Sequence, residues 1–321
     1  GLASSDQGEY AEALKDHYMA LKIRERIGDK AGIGDSYYDI AAIYDAQGKY
    51  PDALAYYSLS FGLFDQLGDK RAMAQTFNNI GLVYSESDNY PKALENYFAG
   101  LSIYQGIGVG TEEDKIAVSA IYQGIGGVYQ DRGNYSKAME NYSLALKEEK
   151  PTSNRSDLAS IYKSIGTICQ SQGNYPEALS SYFNALKMEN GLSDRSDMAY
   201  CYLSIGDTYR LQGDHESALK NDLIALKISE AISDNGLLSA SYNAIGAAYS
   251  DMRRYPEALK NFAVSLKMDL EAGRKAGVAI SYNNMGEIHR SQGNYGEERE
   301  DHLAALDMSE QTGDNDALVQ S

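Results

Sequence analysis

Apolar residues return along this chain at helical spacing, and one stretch shows the pattern clearly. Between Leu158 and Cys169 they recur every three or four residues, at Leu158, Ile161, Tyr162, Ile165, Ile168 and Cys169, which predicts an amphipathic helix. The polar run 172–174 then interrupts it. A second helix is predicted from about Glu177 to Glu189. The pattern is therefore a pair of helices joined by a short turn.

The residues of this turn have the chemistry that helix ends require. Gly173 follows the first helix, and glycine accepts the left-handed backbone of a C-terminal cap without steric cost. Asn174 is predicted to cap the second helix by accepting from a first-turn amide. Pro176 suits that first turn, where its missing N–H costs nothing. Four of the five prolines occupy this position, namely Pro51, Pro91, Pro176 and Pro256, whereas Pro151 falls in a predicted loop between repeats.

The helix pair repeats along the whole chain. The tyrosine at the start of the second helix has equivalents spaced 40, 40, 45, 40, 40, 40 and 40 residues apart, at Tyr10, Tyr50, Tyr90, Tyr135, Tyr175, His215, Tyr255 and Tyr295. Such a period is typical of a stacked repeat array. One five-residue insertion lies near Gly106–Gly110, and we interpret it as a flexible linker between units; the alternative is a lip over a ligand groove.

A glycine recurs inside the first helix of most repeats, where it costs about 1 kcal/mol relative to alanine. These glycines are Gly81, Gly126, Gly166, Gly206, Gly246 and Gly286, with Ala41 in the remaining repeat. Their recurrence predicts a close approach between the two helices of a pair, with large aromatic side chains filling the space around the small residues.

The order Tyr162, Ile165, Gly166, Ala178, Tyr182 and Ala185 resembles the tetratricopeptide repeat motif, with Tyr or Phe in its usual Trp position. The resemblance implies an all-α fold: a right-handed superhelical solenoid of antiparallel helix pairs. It covers residues 1–321 as one domain, with a leading half repeat (about 1–32), seven repeats (about 33–312) and the start of another (313–321). Neither end carries a polar cap, so we expect a fragment of a longer protein.

The 40-residue unit is longer than the common form of this repeat. It is similar to repeats of Pins-type adaptors and of bacterial tetratricopeptide sensors and signalling proteins. The extra residues lie in the turn between units, as at residues 28–30 and 68–70.

Charge and composition exclude several classes of function. With 29 Lys and Arg against 46 Asp and Glu, the formal net charge is −17, so nucleic acid and anionic membranes are not expected partners. Two cysteines in 321 residues provide no disulfide framework. No apolar run approaches the length of a spanning helix, and we expect a cytoplasmic protein.

Catalytic, metal and cofactor chemistry is not expected. The four histidines, His17, His215, His289 and His302, each occupy a repeat position that other units fill with an aromatic residue. Cys169 and Cys201 lack metal-ligand spacing and are expected to be buried thiols. The glycine-rich runs near 106–110 and 124–127 complete no nucleotide-binding motif. We predict no catalytic residue, no metal and no cofactor.

The resemblance implies that first helices line a concave groove. The groove residues carried over from the family are Asp35, Asp39, Asn78, Asn79, Glu86, Gln123, Asp131, Lys163, Arg210, Asn243, Asn283 and Asn284. Acids dominate the groove positions of the first three repeats. In the last four, three acids offset three bases over a wider set of groove positions: Asp207, Asp251 and Glu287 against Lys163, Arg210 and Arg290. Asparagine both donates and accepts, so these carboxamides could pair with an extended peptide backbone; alternatively, they are tolerated, solvated residues. Thr167 stands where the chaperone-tail clamp requires asparagine, which argues against binding of an acidic C-terminal tail.

These features predict a non-catalytic scaffold that binds a polar or basic protein or peptide segment in the groove. The alternative is a peptide-sensing module that controls an attached kinase, cyclase or DNA-binding domain. A third hypothesis is self-association through the uncapped ends.

Overall fold

The structure, a computed structural model, describes residues 2–148, 155–189 and 195–312. Over these ranges it is all-α. The fifteen helices of the described ranges are α1 (Leu2–Ile27), α2 (Lys30–Ala46), α3 (Tyr50–Leu67), α4 (Lys70–Glu86), α5 (Tyr90–Ile107), α6 (Glu112–Asp131), α7 (Tyr135–Glu148), α8 (Arg155–Ser171), α9 (Tyr175–Glu189), α10 (Arg195–Gln212), α11 (His215–Ile232), α12 (Asn235–Asp251), α13 (Tyr255–Ala272), α14 (Lys275–Gln292) and α15 (Tyr295–Thr312).

The chain divides into two compact units, Gly1–Asp157 and Leu158–Ser321. Even-numbered helices, here called first helices, pair with the odd-numbered second helices that follow them. In unit 1 the packed pairs include α2 with α3, α4 with α5 and α6 with α7; in unit 2 they include α10 with α11, α12 with α13 and α14 with α15. Each unit is a series of helix pairs, as predicted.

The turn inside most pairs confirms the predicted glycine cap, whereas Asp88 and Arg253 take the left-handed position in two pairs. Gly173 has φ +73°, in the left-handed region, and the equivalent Gly48 and Gly133 have φ +67° and +69°. The cap at Asn174 differs from the prediction, because its amide donates to the Glu177 carboxylate at 2.6 Å. The full negative charge of Glu177, one helical turn away, attracts this amide. The equivalent residue Asn134 behaves as predicted, because its side chain accepts from the backbone amide of Lys137 at 3.3 Å.

The first-helix glycines are positions of close approach, as the sequence predicts. A methyl group placed on Gly126 would lie 2.7 Å from a ring carbon of Tyr142, and one on Gly166 would lie 2.7 Å from a ring carbon of Tyr182. The aromatic ring therefore occupies the volume that a side chain on the first helix would need. This contact of a second-helix ring with a first-helix glycine is called the aromatic interlock below. Tyr142 is only 2% exposed, so the interlock lies at the centre of its helix pair.

The five-residue insertion is tied down, contrary to the flexible linker that we predicted. Thr111 caps α6 and forms a capping box with Asp114. The Asp114 carboxylate accepts from the amides of Gly110 and Thr111 and from the Arg71 guanidinium, whose Nε lies at 2.7 Å. These contacts hold the pKa of Asp114 well below its ordinary value. The buried carboxylate organises the turn, because its hydrogen bonds fix the backbone of Gly110 and Thr111 immediately before α6.

The leading segment also differs from the prediction. The leading half repeat predicted for about 1–32 calls for one second helix that begins near Tyr10, as in the other repeats, but α1 continues through Gly8 without a turn. Continuing the helix keeps the backbone amides of this segment hydrogen-bonded. The predictions for Pro151 and for residues 313–321 lie outside the described residues.

Candidate functional site

The predicted groove residues all lie on first helices. Asp35 and Asp39 are on α2; Asn78, Asn79 and Glu86 on α4; Gln123 and Asp131 on α6; Lys163 on α8; Arg210 on α10; Asn243 on α12; and Asn283 and Asn284 on α14. Each of the twelve is at least partly exposed to solvent. Their surface is called the first-helix face below.

Neighbouring repeats also contact one another through their first helices. In unit 1, α4 packs against α6; in unit 2, α10 packs against α12 and α12 against α14. Among the described residues no comparable contact joins successive second helices. The first-helix face is therefore continuous from repeat to repeat along these stretches of each unit.

Carboxyl groups crowd together on the first-helix face of unit 1. Burial, with the neighbouring Glu86 carboxylate second, raises the pKa of Asp45 to about 6. Burial also raises the pKa of Asp35, and burial and Asp88 raise that of Asp131. Burial is the largest cause in all three groups, and neighbouring carboxylates add to it. A cation brought to this surface would relieve the repulsion.

The carboxamide of Asn79 is engaged inside unit 1. Its Nδ2 donates to the hydroxyl of Tyr38 at 2.7 Å and to that of Tyr57 at 3.2 Å. The Asn78 amide lies 3.4 Å from the Asn79 carbonyl oxygen. Asn79 therefore links the tyrosines of the preceding repeat to α4. Asn78, also partly exposed, keeps hydrogen-bonding capacity for an incoming polar group.

The asparagines of unit 2 form a chain across two first helices. Asn284 donates to the carbonyl oxygen of Asn243 at 3.0 Å, and Asn243 donates to the hydroxyl of Ser281 at 3.2 Å. Asn283 instead lies 3.0 Å from the ring Nδ1 of His302. These bonds connect α12 to α14 and α14 to α15, so the asparagines order the first-helix face as well as line it.

The two predicted basic residues are held by carboxylates. Lys163 lies 2.8 Å from Asp197. Arg210 lies 2.7 Å from Asp207 and 3.5 Å from Asp251. Because these charges are already compensated, neither is a strong attractor for an anionic partner.

Unit 2 also contains a cavity that the sequence reasoning missed. It has a volume of about 890 Å³ and is walled by α10, α12 and α14, with α11 and α13 contributing the side chains Asp222, Ser265 and Asp269. Asp222 is 2% exposed, and its Oδ1 has no hydrogen-bond partner. The sequence did contain a signal: position 222 holds an aspartate, whereas the equivalent position of every other repeat holds an aromatic residue.

The cysteines and histidines fit structural roles. Cys169 and Cys201 are buried, as predicted, and burial raises the pKa of both thiols, that of Cys201 to about 12. His302 packs its ring against Gly286, which confirms its place in the aromatic position. The part of the chain that the structure describes contains no cluster of three potential metal-ligating residues. None of its helices is both long and apolar enough to cross a bilayer.

Comparison with known proteins identifies the repeat. The tetratricopeptide repeat family model matches residues 1–66, 157–231, 197–271 and 237–311, most of the chain. A comparison with curated protein sequences finds no significant match.

Several solved structures share the fold. The apo form of the quorum sensor NprR from B. thuringiensis is 16% identical with a TM-score of 0.71, and the alignment covers 93% of this chain and 83% of that one. Apo RapI is 15% identical with a TM-score of 0.69, covering 87% and 98%. Aspartyl phosphate phosphatase F from Bacillus subtilis is 16% identical with a TM-score of 0.61, covering 90% and 77%. At these identities the likeness shows the fold alone.

Proposed function

This chain belongs to the tetratricopeptide repeat family, and we propose that it is a non-catalytic scaffold that binds an extended protein or peptide segment along its first-helix face. The observation that carries the proposal is the continuity of this face within each unit, where neighbouring first helices contact one another and present polar side chains. An extended segment lying across successive helices would meet one such set of side chains per repeat.

The partner of unit 1 is expected to be basic or polar. Among the predicted groove residues the face there carries four acids and no base, at Asp35, Asp39, Glu86 and Asp131. Complementary charge mainly accelerates encounter and is screened by salt. Binding should therefore weaken as salt rises from low to physiological concentration.

A random peptide library panned against the immobilised full chain tests this proposal. The selected peptides should be enriched in lysine and arginine, and the variant Asp35→Lys with Asp131→Lys should lose affinity for them. The matched control, Glu95→Lys with Glu140→Lys, makes the same charge change at exposed positions of the second helices α5 and α7. Equal losses in both variants, or peptides that bind both as tightly as the native chain, would contradict the proposed surface.

The second candidate is a peptide-sensing module that regulates an attached signalling domain. The likeness to a quorum sensor over most of both chains favours it. Small-angle scattering of the chain with and without a selected peptide discriminates the two candidates: a sensor should change its radius of gyration on binding, and a rigid scaffold should not.

Two further proposals concern assembly and location. Self-association should appear as a concentration-dependent sedimentation coefficient, and a constant coefficient would exclude it. The two free cysteines favour a reducing, cytoplasmic compartment, which cell fractionation would check. Neither duplex DNA nor anionic vesicles should bind the chain at physiological salt.

A further inference from the structure

One repeat breaks the aromatic interlock. The residue sixteen positions after the first-helix glycine or alanine packs against it, and in the other repeats it is Tyr57, Tyr97, Tyr142, Tyr182, Phe262 or His302. In the repeat of Gly206 this residue is Asp222, whose carboxyl group lies against the glycine. A short carboxylic acid thus replaces a ring at the centre of a helix pair.

The missing ring coincides with the cavity of unit 2. Small residues continue the empty volume along α12, at Ala240, Ala244 and Ala247. Asp269 also lines the cavity; its position in the repeat holds Phe64 and Tyr104 in unit 1 but Ser229 and Ser309 in unit 2. The missing ring at position 222 is what sets this repeat apart, and the cavity volume of about 890 Å³ is that of a small-ligand site.

The charged groups of the cavity wall differ in their partners. Asp207 pairs with Arg210 at 2.7 Å, and Arg210 also reaches Asp251. Asp269 accepts from the Arg274 guanidinium and from the Ser239 hydroxyl, both at 2.7 Å.

Asp222 differs from these neighbours. Its Oδ1 is buried without a hydrogen bond although its side chain lines the cavity. Burial, reinforced by Asp207 and opposed by Arg210, raises the pKa of Asp222 to about 8. The wall thus contains one buried carboxyl oxygen, Oδ1 of Asp222, that has no hydrogen-bond partner.

We propose that this cavity receives the cationic end of a lysine or arginine side chain from the bound segment. The cationic group pairs with the Asp222 carboxylate, and the aliphatic stem lies against the alanines of α12. The proposal rests on the proposed function for the segment that carries the side chain. Leu203 and Ile280 also line the cavity, so a stem of methylene groups meets apolar walls while the carboxylate meets the charge. The pairing would supply the partner that Asp222 lacks.

Binding of a cation should release a proton. Near pH 7 Asp222 is mostly protonated, since its pKa is about 8, and only the carboxylate pairs with a cation. Affinity should rise ~10-fold from pH 6 to 7 and less than ~2-fold from pH 8 to 9, where lysine is still charged.

Other charged groups near the cavity do not produce this profile. Facing Asp222 are Asp207 and Arg210 of α10, and around the cavity lie Asp251, Asp269, Arg274 and the exposed Lys275. His215 lies 3.6 Å from Asp251, and the profile should persist in His215→Asn, which removes the imidazole.

Calorimetry with the full chain tests the proposal, using Nα-acetyl-lysine amide and its uncharged counterpart Nα-acetyl-norleucine amide as probes. The lysine probe should bind saturably with proton release, and the norleucine probe at least ~10-fold more weakly. Asp222→Asn keeps the shape and should weaken binding of the lysine probe ~10-fold; Asp222→Tyr restores the ring and should abolish it. The control Glu230→Gln removes a carboxylate from the exposed surface of the same helix, α11, outside the cavity, and should bind the lysine probe normally.

Three results would overturn the proposal: equal binding of both probes, unchanged binding by Asp222→Asn, or tighter binding of free spermidine than of any lysine peptide. The last result would assign the site to a free polyamine. Failure of the proposed function is distinguishable, because the lysine probe would then bind at Asp222 while no library peptide binds the chain. Conversely, selected peptides that bind Asp222→Asn normally would retain the scaffold and remove the cation site.

Discussion

Two adjacent glycines of α6 should respond to the same substitution with opposite sign. A methyl group on Gly126 would lie 2.7 Å from a ring carbon of Tyr142, whereas on Gly127 the nearest atom is the Tyr142 hydroxyl at 4.0 Å. Favourable carbon contacts lie at about 3.5–4.0 Å, so Gly126→Ala forces a shift of roughly 1 Å in a ring that is 2% exposed. Gly127→Ala requires no shift.

The magnitudes follow from these contacts. Both variants gain about 1 kcal/mol from the better helix propensity of alanine. Overpacking costs Gly126→Ala about 1–3 kcal/mol in addition, so the free energies of unfolding of the two variants should differ by about that amount. Gly127→Ala should be more stable than the native chain, and Gly126→Ala at most as stable.

Urea unfolding of the full chain, followed by far-UV circular dichroism, measures the difference. In a double-mutant cycle, Tyr142→Leu should make Gly126→Ala as harmless as Gly127→Ala, because the ring that clashes is gone. Two single variants of equal stability, or no coupling between residues 126 and 142, would refute the interlock as the reason for the recurring glycines.

Three further predictions concern charge and backbone. Asp222→Asn should raise the free energy of unfolding by an amount that is absent near pH 4 and grows by about 1.4 kcal/mol per pH unit towards pH 8. The reason is that a folded-state pKa raised from 3.8 to about 8 makes the native chain lose stability as pH rises. A pH-independent difference in thermal unfolding would contradict this. Arg253 has φ +58° at a position where most repeats have glycine, so Arg253→Gly should raise the free energy of unfolding by about 1 kcal/mol. Gly173→Ala should lower it by a similar amount, and urea titrations measure both changes. Asp114→Asn should lower the free energy of unfolding by about 1–2 kcal/mol at pH 7, a value limited by the solvent exposure of Arg71. Because the folded-state pKa of Asp114 is lowered, the difference from the native chain should shrink only below about pH 4. A constant difference down to pH 2 would argue against the ion pair.

The sequence predicted the repeat because its signals are local. Glycine at the left-handed cap, proline in the first turn and apolar residues every three or four positions each act within one helix pair, and the array multiplies them. The contact of Gly166 with Tyr182 was likewise predictable from a recurring small residue and a recurring large one.

Features that depend on particular side chains were not predictable to the same degree. The tied turn at Thr111 needs Arg71 from another repeat, and the chain of Asn284, Asn243 and Ser281 joins neighbouring first helices. The register of the repeats gives the positions of such residues but not their hydrogen bonds. The cavity at Asp222 was visible only as a departure from the repeat, which carries meaning once the structure shows what the usual ring fills.

Side-chain amide shifts test most directly whether a partner binds the first-helix face. The second helices offer an internal control, since Asn96, Asn141 and Asn261 each donate to a backbone carbonyl of their own helix. When a library-selected peptide is added to the ¹⁵N-labelled chain, the side-chain amide resonances of Asn78 and Gln123 should shift while those three stay in place. Shifts confined to the second-helix asparagines would contradict the account.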